Sequence, residues 1–210
     1  MLNICIETIK QCYIKPFTLI LVQYSKHTQK LQDEKAFIAK LLNSKTQNTA
    51  FGQLVSQYSK PLYSHIRNIV LDHDDADDVL QNTFIKVFQN LKNFKGESKL
   101  FSWIYRIATN EAITFISTKA KKANITNEEI QQKVLQNLQA DEYFEGDAMQ
   151  LKLQQAIAAL PEKQQLVFKM KYFEDLKYEE ISEILGTSVG ALKASYHHAV
   201  KKIEDFINSH

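Results

Sequence analysis

Apolar residues recur at intervals of three and four along most of this chain, the period of helices that bury one face. The pattern sets in near Asp33. Leu54, Tyr58, Leu62, Ile66 and Val70 trace one stripe, with Pro61 expected near a helix start or at a bend. Leu71 to Asp75 interrupts the period, and a long helix follows with Leu80, Phe84, Val87 and Leu91 as its core stripe. Asn93 to Ser98 reads as a loop, and Leu100 to Ser117 as a helix dense in aromatics: Phe101, Trp103, Tyr105 and Phe115. From Ala123 to Gln150 no apolar face is sustained beyond a short helix around Val134, Leu135 and Leu138. Leu151 restarts the period through Ile157 and Leu160. Pro161 stands where the next helix begins, with Leu166, Val167, Met170 and Phe173 as its buried face.

The last thirty residues carry the most specific pattern. Tyr178 to Leu185 reads as a short helix burying Ile181, Ile184 and Leu185. Gly186 follows, a residue that tolerates the positive φ needed to leave a helix sharply. Ser188 is placed to cap a second helix whose apolar positions are Val189, Leu192, Tyr196, Ala199 or Val200, and Ile203. That stripe packs inward and leaves Gly190, Ala191, Lys193, Ala194, Ser195, His197 and His198 outside, small and polar and free of carboxylates. Such a surface fits a DNA major groove. An ordinary helical hairpin gives the same local spacing.

The expected fold is all-α: two small helical domains, 33–122 and 151–208, joined by a flexible acidic linker at 123–150, behind an N-terminal extension at 1–32. Composition agrees. Only five Gly and three Pro occur in 210 residues, and Lys, Glu, Gln, Leu and Ala dominate the regular stretches. The linker holds Glu128, Glu129, Asp141, Glu142, Glu145 and Asp147 against a single Lys133, too little apolar surface to fix the domains against each other. In the free chain they are expected to move independently, held together, if at all, by a partner.

A net charge of +2 does not by itself indicate nucleic acid, but its distribution is informative. Asp72, Asp74, Asp75, Asp77 and Asp78 form an acidic knot; Lys119, Lys121 and Lys122 form a basic one; Lys193, Lys201 and Lys202 lie on or near the second hairpin helix. Cys5 and Cys12 exclude a disulfide framework and lack metal-ligand spacing. Phe17 to Val22 is apolar but far too short to span a bilayer, and no basic leader precedes a signal-type core, so the first thirty residues read as an extension weakly attached to the fold or as translated upstream sequence. No cofactor is implied.

The acidic knot has three readings. Paired carboxylates can hold Mg²⁺ beside a pyrophosphate, but that chemistry needs a second facing cluster and basic residues for the phosphates. One Asp can cap the helix while others favour the positive end of its dipole, at about 0.3–1 kcal/mol each. Exposed carboxylates followed by Gln81, Asn82, Ile85 and Phe88 also make a polar-rimmed protein-docking surface.

Taken together, three stretches resemble the sigma-70 family of bacterial transcription initiation factors, in its small extracytoplasmic-function group. DDADDVLQNTFIKVFQNLKNFKG (74–96) is similar to the region-two helix and loop that dock on polymerase. FSWIYRIATNEAI (101–113) is similar to the segment that melts and reads the minus-ten element. LPEKQQLVFKMKYFEDLKYEEISEILGTSVGALKASYHHAVKKI (160–203) is similar to region four, which reads the minus-thirty-five element.

The resemblance implies roles by position. Asp77, Asp78, Gln81, Asn82, Ile85 and Phe88 would meet the clamp helices of the largest polymerase subunit; Asn82 stands where an acidic residue is usual, which weakens one ionic contact. Phe94, Lys95, Lys99, Trp103, Arg106, Asn110 and Lys119 would meet the minus-ten element, with aromatic faces stacking on unstacked bases at about 1–3 kcal/mol each. Trp103 also lies near its helix's buried stripe, so a core role stands beside the stacking one. Ser188, Gly190, Ala191, Lys193, Ala194, Ser195, His197, His198 and Lys201 would meet the minus-thirty-five element. Ala191, Ser195 and Gln165 replace the family's usual Thr, Arg and Arg, which removes bidentate guanine readout at Ser195 and leaves sequence preference open.

The implied protein binds rather than catalyses. Its partners are core RNA polymerase, promoter DNA and, as a candidate, an anti-sigma factor; no membrane is implied and the location is cytoplasmic. Two rivals differ in what they require. A response-regulator-type transcription factor needs an α/β receiver domain that this helical sequence does not offer. A helical enzyme acting on diphosphates needs Mg²⁺ at Asp74 to Asp78.

Overall fold

The computed structural model describes residues 34–124, 126, 129 and 148–209. The expected N-terminal extension, the helix around Val134 to Leu138 and nearly all of the linker lie outside the described residues. Among those described, the architecture is helical throughout.

Helix α1 (Glu34–Leu42) buries Phe37 and Leu41. It also serves a later element: the Glu34 carboxylate accepts the Leu100 N–H at 2.6 Å, satisfying an orphan donor at a helix start that has no side-chain cap of its own. Helix α2 (Gln47–Val70) buries Leu54, Tyr58, Leu62, Ile66 and Val70 as expected. Pro61, however, lies inside α2, not at its start. An interior Pro costs about 3 kcal/mol, while fully burying an aliphatic side chain is worth about 1.5–3 kcal/mol. Leu54, Leu62 and Ile66, each at 0% exposure, therefore outweigh the break. The helix stops at Leu71 in a left-handed conformation, φ 65°.

Asp72 then caps helix α3 (His73–Asn90), its carboxylate accepting the Asp75 N–H at 3.0 Å. The buried seam of α3 is Ala76, Val79, Thr83 and Val87, one position round from the expected Leu80–Phe84 stripe; Leu80 and Phe84 are half-buried flanks. Small residues in the seam let α3 approach α2 closely, and the Thr83 hydroxyl is satisfied by donating to the Val79 carbonyl at 2.7 Å. A single 3₁₀ turn (Leu91–Asn93) leads into the loop.

Helix α4 (Leu100–Ala123) runs six residues beyond the expected Ser117 and ends at Asn124 in a left-handed conformation, φ 53°. The added turn buries Ala120 and sets Lys121 and Lys122 near the negative end of the helix dipole.

The second half comprises α5 (Ala148–Ala158), α6 (Glu162–Tyr172), α7 (Tyr178–Leu185) and α8 (Val189–Ser209). Leu153, Ala156, Ile157, Leu160, Phe168, Ala199, Val200 and Ile203 form its own core. Phe168, absent from the expected stripe of α6, is central there, stacked on Tyr172 at 4.9 Å and Tyr196 at 5.8 Å. Beside it Lys169 is 5% exposed, and burial pushes its ammonium down to about 8.

The two halves, expected to move independently, pack against each other in this structure. Val167, Met170, Leu176, Ile181, Ile184 and Leu192 of the second half belong to the same buried cluster as Leu62, Ile66, Ile104 and Ala108 of the first. Helix α7 packs along α4, and α6 touches α2. The apolar area missing from the linker is supplied by the domains themselves.

Candidate functional site

Three surfaces carry the residues singled out by the sequence. The first is the outer face of α3, where Asp77, Asp78, Gln81, Asn82, Ile85 and Phe88 are all exposed, opposite the buried seam. Ile85 and Phe88 are 49% and 40% exposed, large apolar side chains left in water. With Gln81, Phe84, Gln89 and Phe51 they line an open cleft of about 350 Å³. Phe51 comes from α2 and was not expected at this surface. Its ring meets Phe88 edge-on at 4.9 Å and Phe84 at 6.4 Å. The signal was available: Phe51 stands three residues before Leu54, at the edge of the α2 stripe.

The acidic knot divides by role. Asp72 caps α3, Asp75 accepts from Lys119 Nζ at 2.5 Å, and Asp77 lies 3.9 Å from His73 Nε2. Asp74 and Asp78 are exposed. Lys119, expected at phosphate, is thus paired inside the protein.

The second surface is the start of α4 with the loop before it. Lys95, Lys99, Arg106 and Asn110 are exposed there. Phe94 is not: it is 7% exposed, and its ring centroid lies 5.0 Å from that of half-buried Trp103. Phe94 is therefore a core residue here, because the loop folds its ring under α4, and the contact favours the packing role for Trp103. Part of this surface is occupied from within the chain. Arg106 donates through Nε to the Glu183 carbonyl at 3.1 Å, and again through its terminal nitrogen. Lys99 Nζ lies 3.7 Å from Glu180 of α7. Beneath them His65 Nδ1 sits 2.9 and 3.0 Å from the two Glu174 oxygens, and Nε2 sits 2.9 Å from Thr109 Oγ1. The Thr109 hydroxyl donates to the Tyr105 carbonyl at 2.7 Å. Burial, reinforced by the Glu174, Tyr58 and Glu180 charges, holds the Tyr105 phenol well above its ordinary range. None of His65, Glu174, Glu180 or Glu183 was singled out from sequence; contacts this distant in the chain leave no local pattern.

The third surface is the outer face of α8. Gly186 adopts φ 65° to end α7, and Ser188 Oγ accepts the Ala191 N–H at 3.4 Å. Gly190, Ala191, Lys193, Ala194, His197, His198 and Lys201 are exposed and Ser195 is half-buried. No carboxylate occurs from Ser188 to Ile203, so the face is cationic or neutral throughout. Lys193 Nζ lies 5.8 Å above the Tyr178 ring, which steadies a flexible side chain by cation–π attraction. Tyr196 turns inward, its phenol pushed up to about 12 by burial and then by Tyr178 and Asp175.

Family models match two parts of the chain: "Sigma-70 region 2" over residues 54–122 and "Sigma-70, region 4" over residues 150–203. The ECF RNA polymerase sigma factor SigW of Bacillus subtilis is 31% identical over 156 residues, spanning 70% of this chain and 83% of that protein. The chain belongs to the extracytoplasmic-function RNA polymerase sigma factors. The sigma-H factor of Pseudomonas aeruginosa is 29% identical over 163 residues, 74% of this chain and 84% of that protein. In fold, this sigma factor is similar to CnrH, solved in complex with the cytosolic domain of CnrY, with TM-score 0.58 and 20% identity over 84% of this chain and 97% of that one. RpoE of Bartonella quintana, solved with the anti-sigma factor NepR, aligns with TM-score 0.56 and 18% identity over 75% of this chain and 96% of that one.

The sigma factor is a promoter-specific transcription initiation factor of RNA polymerase. Its region-two match spans α2 to α4 and its region-four match runs from α5 to Ile203 in α8. Helix α1 precedes the first match, although its Glu34 caps α4. No helix among the described residues is long and apolar enough to cross a membrane.

Proposed function

We propose that this sigma factor uses its three surfaces in three separate contacts. The face of α3 with Asp77, Asp78, Gln81, Asn82, Ile85 and Phe88, deepened by Phe51, docks on the clamp helices of core polymerase. The start of α4, through Lys95, Lys99, Arg106 and Asn110, engages the minus-ten element. Helix α8 enters the major groove of the minus-thirty-five element, with Lys193 toward bases and Lys201 toward phosphate. The working units are 33–122 and 151–208, with 123–150 as connector and 1–32 as an extension. The protein acts by binding, without a catalytic centre, in the cytoplasm, and an anti-sigma factor is a candidate partner because RpoE, which is similar in fold, was solved with the anti-sigma factor NepR.

The observation that carries this reading is the exposure of Ile85 and Phe88 among the polar residues Gln81, Asn82 and Gln89, on a helix whose other face is packed. Side chains of this kind are typical of the apolar centre and polar rim of a protein interface. Replacing Asp78 and Gln81 together by Lys should abolish co-purification with core polymerase and leave the far-ultraviolet circular dichroism unchanged. Undiminished co-purification would remove the docking assignment.

A further inference from the structure

The loop between α3 and α4 carries Lys95 and Lys99, and α1 holds it at both ends. At its start, α1 packs against the 3₁₀ turn Leu91–Asn93. At its end, the half-buried Glu34 accepts the Leu100 N–H at 2.6 Å, across 66 residues of sequence. Leu100 is 1% exposed, so water does not serve its N–H. The residue at the N-cap position of α4 is Lys99, whose side chain donates and cannot accept. Glu34 therefore does from another helix what a capping Ser or Asp does from its own, and its charge favours the positive end of the α4 dipole. Between the two fixed points Phe94 is held against Trp103, ring centroids 5.0 Å apart, and Gly96 turns the chain at φ 74°. Lys95, Glu97 and Lys99 are left exposed.

A loose loop must give up its backbone freedom when it meets a ligand, and that cost weakens the complex. A loop ordered on folding carries no such cost into binding. The difference bears on selectivity. Phosphate contacts tolerate a mobile loop, whereas reading a base edge needs side chains held in place. Order at the start of α4 thus separates favoured from disfavoured bases more than it changes binding to DNA in general.

We propose that Glu34 is a positioning residue for minus-ten recognition. From α1, which lies outside the region-two match at 54–122, it fixes the start of α4 and so presents the loop and the exposed face of that helix to promoter DNA. The inference rests on the assignment of the α4 start to the minus-ten element. Removing a charged acceptor from a buried donor lowers the ordered fraction of the loop by about tenfold, and discrimination at the minus-ten element falls by the same factor.

The experiment uses holoenzyme assembled from core polymerase and the full chain, transcribing a promoter library randomised at both upstream elements. The readout is the transcript ratio between favoured and disfavoured bases at each element. Glu34→Ala should lower the minus-ten ratio about tenfold, with the minus-thirty-five ratio and co-purification with core polymerase unchanged. Glu34→Gln, whose side-chain carbonyl still accepts an N–H, should restore most of the loss. Both ratios come from the same molecules, so a smaller folded fraction lowers transcript yield without moving either one. Lys99→Ala with Asn110→Ala tests the underlying assignment and should itself lower the minus-ten ratio. If it does, a Glu34→Ala ratio that is unchanged, or that falls equally at both elements, would overturn the positioning role. Failure of Glu34→Gln to restore the ratio would overturn the hydrogen bond as its means. A minus-ten ratio indifferent to Lys99→Ala with Asn110→Ala would remove the DNA assignment, and the positioning role with it.

Discussion

Lys169 gives the sharpest quantitative test of the fold. Its side chain is 5% exposed in the core of the second half, and burial lowers its ammonium from the ordinary 10.5 to about 8. The folded protein therefore binds fewer protons than the unfolded chain between about pH 8 and pH 10.5, and stability must rise with pH across that window. Below pH 8 the full penalty applies. At 1.36 kcal/mol per unit, the depression corresponds to about 3 kcal/mol. Lys169→Met keeps the length of the side chain and removes the charge. At pH 7 it should stabilise the protein by up to about 3 kcal/mol, or about 6–12 °C in melting temperature for a chain of this size. The gain should shrink toward zero as pH rises from 8 to 10.5. Buried phenols such as Tyr58, held up to about 12 by burial and then by Glu34, destabilise the fold above pH 10, but they are common to both proteins and cancel in the difference. Urea denaturation of wild type and variant at pH 7, 8, 9 and 10 measures it. A variant no more stable than wild type at pH 7, or a gain independent of pH, would refute the burial argument.

Ile85→Glu should reduce co-purification with core polymerase at least tenfold while changing stability by no more than about 0.5 kcal/mol, since the side chain is half in water; thermal melting alongside pull-down separates the two effects. Lys193→Ala should alter base preference in a binding-site selection, whereas Lys201→Ala should weaken every sequence alike and lower the salt slope by about one unit. Leu62→Ala, at a position with 0% exposure, should cost about 2–5 kcal/mol in urea unfolding, against almost nothing for half-exposed Leu42→Ala. Proteolytic cleavage between residues 124 and 147 should give two fragments that co-elute in gel filtration, because α4 and α7 share a core; fragments that separate would show that the halves do not hold each other.

What could be read from the sequence was what depends on local period and local backbone chemistry. The stripe of α2, the bounds of α7, the left-handed Gly186 and the Ser188 cap all follow from spacing and residue type within a few positions. Where two stripes compete within one helix, period alone does not decide: α3 turned by one position because Ala76 and Thr83 permit closer packing than Leu80 and Phe84. The resemblance set Phe94 at the minus-ten element, but its ring is buried against Trp103. The largest difference came from tertiary contacts. An acidic connector argued for separate domains, but the surfaces that meet are α4 and α7, joined by His65, Glu174 and Arg106 over distances in the chain that no window spans.

The central claim is that this chain gives RNA polymerase a promoter preference. Its most direct test is transcription from a randomised promoter library with purified core polymerase, with and without the full chain, followed by sequencing of the transcript starts. The account predicts starts that depend on the added protein and share two upstream elements, one near minus ten and one near minus thirty-five, with the second lost on altering the exposed face of α8. Starts that are the same with and without the protein would contradict it.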